Sequence, residues 1–197
     1  MGTRNLTVLV SEGEIKIAQY GQWDGYPDYM GINILKFLRE FDVEIMKKQV
    51  KNVIFVDENK QKEIDLYLKE IGSTNGYLNN EQSDLYNEKY KFLNRSIGSD
   101  ILEMVYDEEY NKPMLLNNSI TFSGDSLFCE WAYVIDLDKN LFEVYEGFNK
   151  NELNENDRFF KYTIENEEYR PIKLKKEFPL NVLPSDEEFL TYFKEGV

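Results

Sequence analysis

The sequence contains no histidine, and its only cysteine is Cys129. Without histidine, the Ser-His-Asp and Cys-His nucleophile systems, a histidine general base and the usual histidine-containing zinc sites are excluded. Any catalysis would have to use carboxylates, Lys, Tyr, Ser, Thr, Cys129 or a terminal amine. A lone cysteine cannot form an intrachain disulfide, which favours a reducing compartment and predicts a cytoplasmic protein. Because no basic residues flank it, Cys129 is predicted to be a buried, inert thiol.

Long apolar runs are also missing. No run approaches the roughly 18 residues of a membrane span, and residues 1–5 lack the apolar core of a signal peptide, so we expect no membrane association. The chain has no glycine-rich phosphate loop of the Walker or Rossmann type, and we expect no cofactor. Residues 136–140 begin like a calcium loop, but Leu141 replaces the required glycine, so a hairpin turn is the better interpretation.

The chain is poor in positive charge, with 23 Lys and Arg side chains against 37 Asp and Glu side chains and a net charge of −14. Binding to a phosphate backbone needs a basic surface, so direct nucleic-acid binding is disfavoured. A basic protein partner is favoured instead, although solubility alone is the simpler interpretation of the charge. The candidate residues of an acidic interface, which would imitate nucleic-acid phosphates, are Asp107, Glu108, Glu109, Glu167 and Glu168.

What is present is enough apolar material for a full-size core. Hydrophobic residues make up 42% of the 197 residues and aromatic residues 15%, so general disorder is disfavoured. The patterns predict one α+β domain over residues 1–197, with a mainly antiparallel sheet, an N-terminal hairpin, a central helical section and C-terminal strands. Strands are predicted at residues 6–10, 15–20, 130–136, 141–145, 158–164 and 172–178. Four or five helices are predicted between residues 31 and 105, the first over about residues 31–52 with a break near residues 41–42. A later one is capped by Ser96, and a last short helix is capped by Ser185.

The segment from residue 19 to residue 27, QYGQWDGYP, is the strongest candidate for a site. Its two glycines and its proline predict an ordered loop, and its aromatic side chains either pack beneath that loop or hold a partner. The hairpin brings the first strand beside the loop, so a small polar ligand or a peptide could lie between them. The alternative is a structural plug in which Asp24 organises its own turn. The candidate binding residues are Thr3, Arg4, Asn5, Gln22, Trp23, Asp24, Tyr26 and Glu130.

The opening Gly2-Thr3-Arg4 and the QYGQWDGYP loop also carry a resemblance. Together they resemble an uncharacterised family of bacterial, phage and fungal proteins with a GTR N-terminus and this loop. Residues 96–103 and 129–138 look like later blocks of the same family. The resemblance spans most of the chain and implies a shared fold without naming an activity.

The opening hairpin also resembles, more weakly, the start of N-terminal-nucleophile hydrolases. In those enzymes a terminal Cys, Ser or Thr attacks the substrate and its own amine serves as the base, which needs no histidine. Removal of Met1 would expose Gly2, which carries no nucleophile, and Thr3 would need a further cleavage. A glycosidase-type carboxylate pair is a second enzymatic possibility, but no spacing among Glu130, Asp136, Glu143 and Glu146 fixes a pair.

Two functions follow from these observations. The leading hypothesis is a non-catalytic acidic binding or inhibitor protein, encoded by a phage or mobile element, that engages a basic host protein. The alternative is a hydrolase or a small-polar-ligand-binding protein with an N-terminal-nucleophile-like fold and a site between the GTRN strand and the QWDGY loop. The sequence predicts no catalytic residue and no metal ligand, and it leaves the oligomeric state open.

Overall fold

A computed structural model describes residues 2–73, 77–165 and 167–193. The strands are β1 (Asn5–Ser11), β2 (Glu14–Gly21), β3 (Val53–Phe55), β4 (Met114–Leu116), β5 (Trp131–Asp136), β6 (Leu141–Glu146) and β7 (Lys173–Pro179). The helices are α1 (Ile32–Glu40), α2 (Val43–Gln49), α3 (Glu58–Glu70), α4 (Asn80–Lys89), α5 (Ile101–Tyr106) and α6 (Asp186–Thr191). Short 3-10 turns and one turn of π-helix, Pro27–Gly31, connect several of these elements.

Five strands form the main sheet in the order β2-β1-β5-β6-β7. Every pair in it is antiparallel except β1 with β5, whose starts lie side by side at Asn5 and Trp131. At this end of the sheet Asn5 also lies opposite Gly21, and Trp131 lies opposite Glu146. Because of this register, four segments lie at the same end of the sheet: the N-terminal segment, the loop after β2, the segment before β5 and the loop after β6.

The two central strands are buried along their whole length, which explains their nearly continuous runs of large residues. On one face, Leu9, Tyr133 and Phe142 belong to a core that includes apolar side chains of α1, α2, α5 and α6. On the other face, Val8, Val134 and neighbouring residues pack beneath the 3-10 turns and loops of the second half of the chain. The sheet is thus covered on both sides, by helices on one and by irregular segments on the other.

Local sequence signals account for the helix boundaries. Asp42 caps α2 by accepting the backbone N–H groups of Glu44 and Ile45, and it separates α2 from α1 where the pattern predicted a break. Asn79 and Gln82 form a reciprocal capping box at the start of α4. Gly72 ends the segment after α3 with a φ of 80°, a conformation that suits glycine. Ser185 caps α6 by accepting the N–H of Glu188 at 3.2 Å.

The α+β class, the mainly antiparallel sheet and the N-terminal hairpin are confirmed. Three details differ from the sequence prediction. Residues 158–164 form no strand, since they hold a 3-10 turn, Phe160–Tyr162. Ser96 does not cap α5, because the 3-10 turn Gly98–Asp100 leads into that helix. The short parallel pair of β3 with β4 was not predicted, because three-residue strands carry too little alternation to recognise.

The turn predicted at residues 138–140 joins β5 to β6. The Asp136 carboxylate accepts the backbone N–H groups of Asp138 and Lys139, and the Asp138 carboxylate accepts those of Glu12 and Gly13 from the first hairpin. These aspartates therefore organise turns instead of forming a calcium loop. Within the described part of the chain, no helix combines the length and the apolar character needed to cross a membrane.

Candidate functional site

The loop of residues 22–31, called the aromatic loop below, is fixed to the sheet by its backbone. The N–H of Gly25 donates to the Thr3 carbonyl at 3.0 Å, and the Gly25 carbonyl accepts the hydroxyl of Tyr133 at 2.8 Å. The side-chain amide of Asn5 donates to the Trp23 carbonyl at 3.2 Å. Asn5 and Tyr133 are themselves fully buried, so the loop is anchored from inside the core.

Close approach explains the glycines of the motif. A β-carbon at Gly25 would lie 2.8 Å from both the Asn5 side chain and the Thr3 carbonyl oxygen, and one at Gly21 would lie 2.5 Å from the Asn5 amide oxygen. Asp24 adopts a φ of 51°, a left-handed conformation that Asp tolerates better than most residues. The order of residues in this segment is therefore set by its fit against β1.

The aromatic side chains of the loop point the other way, into solvent. Trp23 is 57% exposed, Tyr26 52% and Tyr29 55%. Large aromatics in this position are unusual for a structural plug, which would bury them. The structure thus combines the two interpretations of the motif: its glycines and backbone define the fold, while its aromatic rings form surface.

Further exposed apolar groups lie at the same end of the sheet. Phe128, just before β5, is 43% exposed, and the Arg4 guanidinium lies over its ring at 4.6 Å from the centroid. Phe148, just after β6, is 55% exposed and has a φ of 52°. A bulky residue with positive φ is uncommon, so its ring is held outward at some cost in backbone strain. These exposed rings make this end of the sheet a candidate contact surface.

A groove runs from the aromatic loop along the helices. Its first part, of about 210 Å³, lies between the aromatic loop and residues 96–100, and includes Trp23 and Tyr29. Its second part, of about 430 Å³, lies between α1 and α5. The two parts adjoin, since Asn33, Ser99 and Asp100 line both. We call these adjoining depressions together the acidic groove; the second part is lined by Asn33, Ile34, Lys36, Phe37, Glu40, Phe41, Ser99, Asp100, Leu102, Glu103, Tyr106 and Asp107.

The floor of the groove is apolar and its rim is negative. Phe37 packs against Phe41 and Tyr106, with ring centroids 5.3 and 5.8 Å apart. Lys36 is the one basic residue among the lining residues of both parts. In the described part of the chain, none of the acidic rim residues of the second part forms a salt bridge; they are Glu40, Asp100, Glu103 and Asp107.

The structure brings together most of the predicted binding residues, in different roles. Thr3 and Asn5 are buried beneath the aromatic loop. Gln22 lines the groove and accepts the Tyr20 hydroxyl at 2.5 Å, and Asp24 lines the same part. Arg4 and Glu130 lie further along the sheet edge, where the Arg4 N–H donates to the Glu130 carboxylate at 3.3 Å. The residues available to a partner are therefore Arg4, Gln22, Trp23, Asp24, Tyr26 and Glu130.

The five residues predicted to form an acidic interface lie in different places in the structure. Asp107 lines the groove. Glu108 is only 8% exposed and pairs with Lys91 at 2.5 Å. Burial acts to raise the pKa of Glu108, but the hydrogen bonds from Lys91 and from the Glu109 N–H, together with the charges of Lys91 and Lys112, outweigh burial and lower the pKa. Glu109 is exposed after α5. Glu167 and Glu168 lie in the segment before β7, where Glu168 pairs with Lys150. Of the five, Asp107 is thus the residue that belongs to the groove.

A second charged cluster, missed in the sequence, lies on the opposite face of the sheet. Arg158 donates to Asp136 at 2.6 Å and to both oxygens of Glu143 at 2.7 Å, and the Tyr145 hydroxyl donates to Glu143 at 2.8 Å. Burial acts to lower the pKa of Arg158, but these carboxylates outweigh it and raise the pKa. Burial, followed by Glu143, raises the pKa of Tyr145. This cluster, called the Arg158 clamp below, binds Asp136 and Glu143, two of the four carboxylates among which a glycosidase-type pair was considered, to a single guanidinium.

Two further sequence hypotheses can be located. Cys129 is fully buried, and burial raises the pKa of its thiol well above the ordinary value, which suits an inert side chain. Thr3, the candidate N-terminal nucleophile, is 7% exposed and its carbonyl holds Gly25. Among the described residues, no group of three or more Cys, Asp or Glu side chains is arranged to hold a metal ion.

Comparison of the chain with protein-family models, with curated protein sequences and with solved structures found no match in any of the three. The resemblance of the GTR opening and the QYGQWDGYP loop to a bacterial, phage and fungal family therefore stays a prediction. Function is therefore inferred from the geometry of the aromatic loop and the acidic groove and from the charge of the chain.

Proposed function

We propose that this protein is a non-catalytic binding protein that engages a basic protein through the aromatic loop and the acidic groove. The single observation that carries the proposal is their adjacency: the depression with an aromatic floor and an acidic rim shares Asn33, Ser99 and Asp100 with the depression that exposed Trp23 and Tyr29 line. The aromatic loop and α1 follow one another in the sequence, and contact of Tyr106 with Phe37 brings the distant α5 beside them.

The charge of the groove selects the kind of partner. Four carboxylates on the rim of its second part face one lysine, Lys36, so a cationic surface is favoured there and an anionic one is repelled. The whole chain carries a net charge of −14, which adds long-range attraction for a basic protein and speeds encounter. Binding of this kind weakens as salt concentration rises.

The aromatic loop supplies the contacts that charge alone does not. Exposed Trp and Tyr side chains are the commonest energetic centres of protein interfaces, because they bury much area at a small cost in conformational entropy. The backbone of the loop is already held by Asn5 and Tyr133, so little ordering remains to be done on binding.

The finer part of the proposal is that the protein acts as an inhibitor inside the cell, encoded by a phage or mobile element, and covers a basic functional surface of a host factor. What supports it is the charge pattern, which presents carboxylates to a groove or surface that would otherwise meet phosphates. No catalytic role is needed for that activity.

Affinity capture from host lysate tests the proposal. The tagged protein is compared with Trp23→Ala, with the double variant Glu103→Lys/Asp107→Lys, and with the matched double variant Glu167→Lys/Glu168→Lys, at low and moderate salt. We expect a basic protein to be captured at low salt and lost with Trp23→Ala and with the groove reversal. If Trp23→Ala and the groove reversal still capture the partner while Glu167→Lys/Glu168→Lys does not, the contact lies elsewhere and the proposed site is overturned. Absence of any specific basic partner would overturn the function.

A further inference from the structure

We propose that the segment of the partner seated in the acidic groove is a basic amphipathic α-helix. This inference rests on the proposed function and specifies the shape of what is bound. It follows from the walls of the groove, its apolar floor, its length and the arrangement of its charges.

The walls of the second part of the groove are α1 and α5, whose backbone groups bond mainly within their own helices. An extended peptide in the groove would find no row of free backbone N–H and C=O groups to pair with, whereas a helix satisfies its own. The places where an extended peptide could pair are the edges of the main sheet. At the β2 edge, Ala18 already accepts the N–H of Ser119, and the β7 edge carries Lys173, Lys175, Lys176 and Pro179, which discourage strand addition.

The floor offers the apolar stripe that an amphipathic helix requires. Phe37, Phe41 and Tyr106 form an edge-to-face and tilted aromatic group along the second part of the groove, with Ile34 and Leu102 beneath. Phe37, Phe41 and Tyr106 are each partly exposed, so their rings have faces free for contact. Helices bind such grooves through apolar side chains at i, i+3, i+4 and i+7.

The length of the groove suits a short helix. The nine residues of α1 extend about 13 Å at 1.5 Å per residue, and the first part of the groove continues beyond them to Trp23 and Tyr29. A helix of about three turns therefore spans from Tyr106 to the aromatic loop.

The charges lie where the flanks of such a helix would be. Glu40 comes from the end of α1, while Glu103 and Asp107 come from α5 and the residue after it, so carboxylates stand on both walls. All three side chains are exposed at the rim while the aromatic floor lies between the helices. Lys or Arg on both flanks of the bound helix would meet them, and its apolar face would meet the floor.

Synthetic peptides test this inference. Three twelve-residue peptides would be titrated against the protein: a Leu/Lys peptide with leucines at i, i+3, i+4 and i+7; the same composition with the leucines scattered around the helix; and a Leu/Glu peptide with the first pattern. Binding is followed by fluorescence anisotropy of a labelled peptide and by tryptophan emission. The emission change is assigned to Trp23 by its loss in Trp23→Phe, since the second tryptophan, Trp131, is only 8% exposed.

We expect the patterned basic peptide to bind at least about tenfold more tightly than the other two, and to weaken by about tenfold with Glu103→Lys/Asp107→Lys, a loss of about 1.4 kcal/mol. Equal binding of both basic peptides would overturn the helix while leaving the charge-driven function intact. Failure of all three peptides, with lysate capture still dependent on the groove, would also overturn the helix alone. If the groove reversal changes neither peptide binding nor lysate capture, the inference and the proposed function fall together.

Discussion

Two clusters of carboxylates in this protein serve opposite purposes. In the Arg158 clamp, Asp136 and Glu143 are 2% and 4% exposed, and their oxygens are bonded to one guanidinium and one tyrosine hydroxyl. On the rim of the acidic groove, Glu103 and Asp107 are exposed, and in the described residues neither forms a salt bridge. The first cluster is satisfied within the molecule, and the second is exposed to solvent.

The difference teaches that acid content alone says little about function. A buried carboxylate must be paired, so its partner is fixed by the fold and its removal costs stability. An exposed carboxylate is solvated at no cost and can exchange water for a cation from another protein. The predictions below separate these two cases, from the largest expected effect on stability to the smallest.

Loss of the clamp should be the most damaging. Arg158→Met leaves two buried carboxylates without their cation and should lower the free energy of unfolding by about 3–5 kcal/mol. Chemical denaturation measures the change. The matched control is Arg170→Met, because Arg170 pairs with exposed Glu152 at 3.5 Å and should lose at most about 1 kcal/mol. Equal losses in the two variants would show that the clamp is not the stabilising device.

The anchor beneath the aromatic loop should have the next largest effect. Tyr133→Phe removes the hydroxyl that donates to Gly25 and leaves a carbonyl without that donor, which should cost about 1–3 kcal/mol. Thermal and chemical denaturation measure it, with exposed Tyr110→Phe as the control, which should change stability by less than about 0.5 kcal/mol. A neutral Tyr133→Phe would mean that the loop is held by other contacts.

Alkaline pH should weaken the fold through its buried hydroxyls. Burial raises the pKa of Tyr145 and of Tyr133 above their ordinary value of 10.0, so between these values the unfolded chain releases protons that the folded chain keeps. The free energy of unfolding is therefore unaffected by these groups below the ordinary tyrosine pKa. It falls as pH rises above that pKa, by up to about 1.4 kcal/mol per pH unit for each group.

Denaturation at pH 8 to 11 would show this slope. Tyr145→Phe should reduce it, and Tyr110→Phe should leave it unchanged, since Tyr110 is 66% exposed. A slope that does not change with Tyr145→Phe would contradict the role of Tyr145 in the clamp.

Reversal of the groove charges should affect stability least. Glu103→Lys/Asp107→Lys alters exposed side chains and should change the free energy of unfolding by no more than about 0.5 kcal/mol per site. The same variant should abolish capture of a basic partner. Partner loss together with a stability loss as large as that of Arg158→Met would erase the distinction between the two clusters.

Much of the fold could be predicted from local patterns. The first hairpin, the break between α1 and α2 at Asp42, and the buried strand β5 each have a signal within a few residues: a glycine turn, a capping carboxylate and an unbroken run of large side chains. The prediction of a strand at residues 158–164 is wrong, because the apolar residues there, Phe159 and Tyr162 among them, pack onto the sheet in and beside a 3-10 turn. Short turns of this kind bury aromatics without any period.

The candidate site was predicted in part. The sequence singled out Trp23, Asp24 and Tyr26, because aromatics between glycines are rare outside sites and turns. It missed Arg158, since a single arginine after an Asn- and Glu-rich loop shows no partner until β5 and β6 lie beneath it. It also placed the acid away from the aromatic loop, because distance along the chain says nothing about packing between α1 and α5.

The sequence by itself determined most of the element types, the absence of histidine chemistry and the identity of the aromatic loop, since these depend on residue type and near-neighbour spacing. Only the tertiary structure decided that Glu143 is clamped, that Glu108 is buried and paired, and that Asp107 joins Trp23 along one groove. The physical reason is that a carboxylate carries the same charge everywhere in a sequence. Its burial and its distance from a cation, which the fold alone sets, decide whether it stabilises the protein or binds a partner.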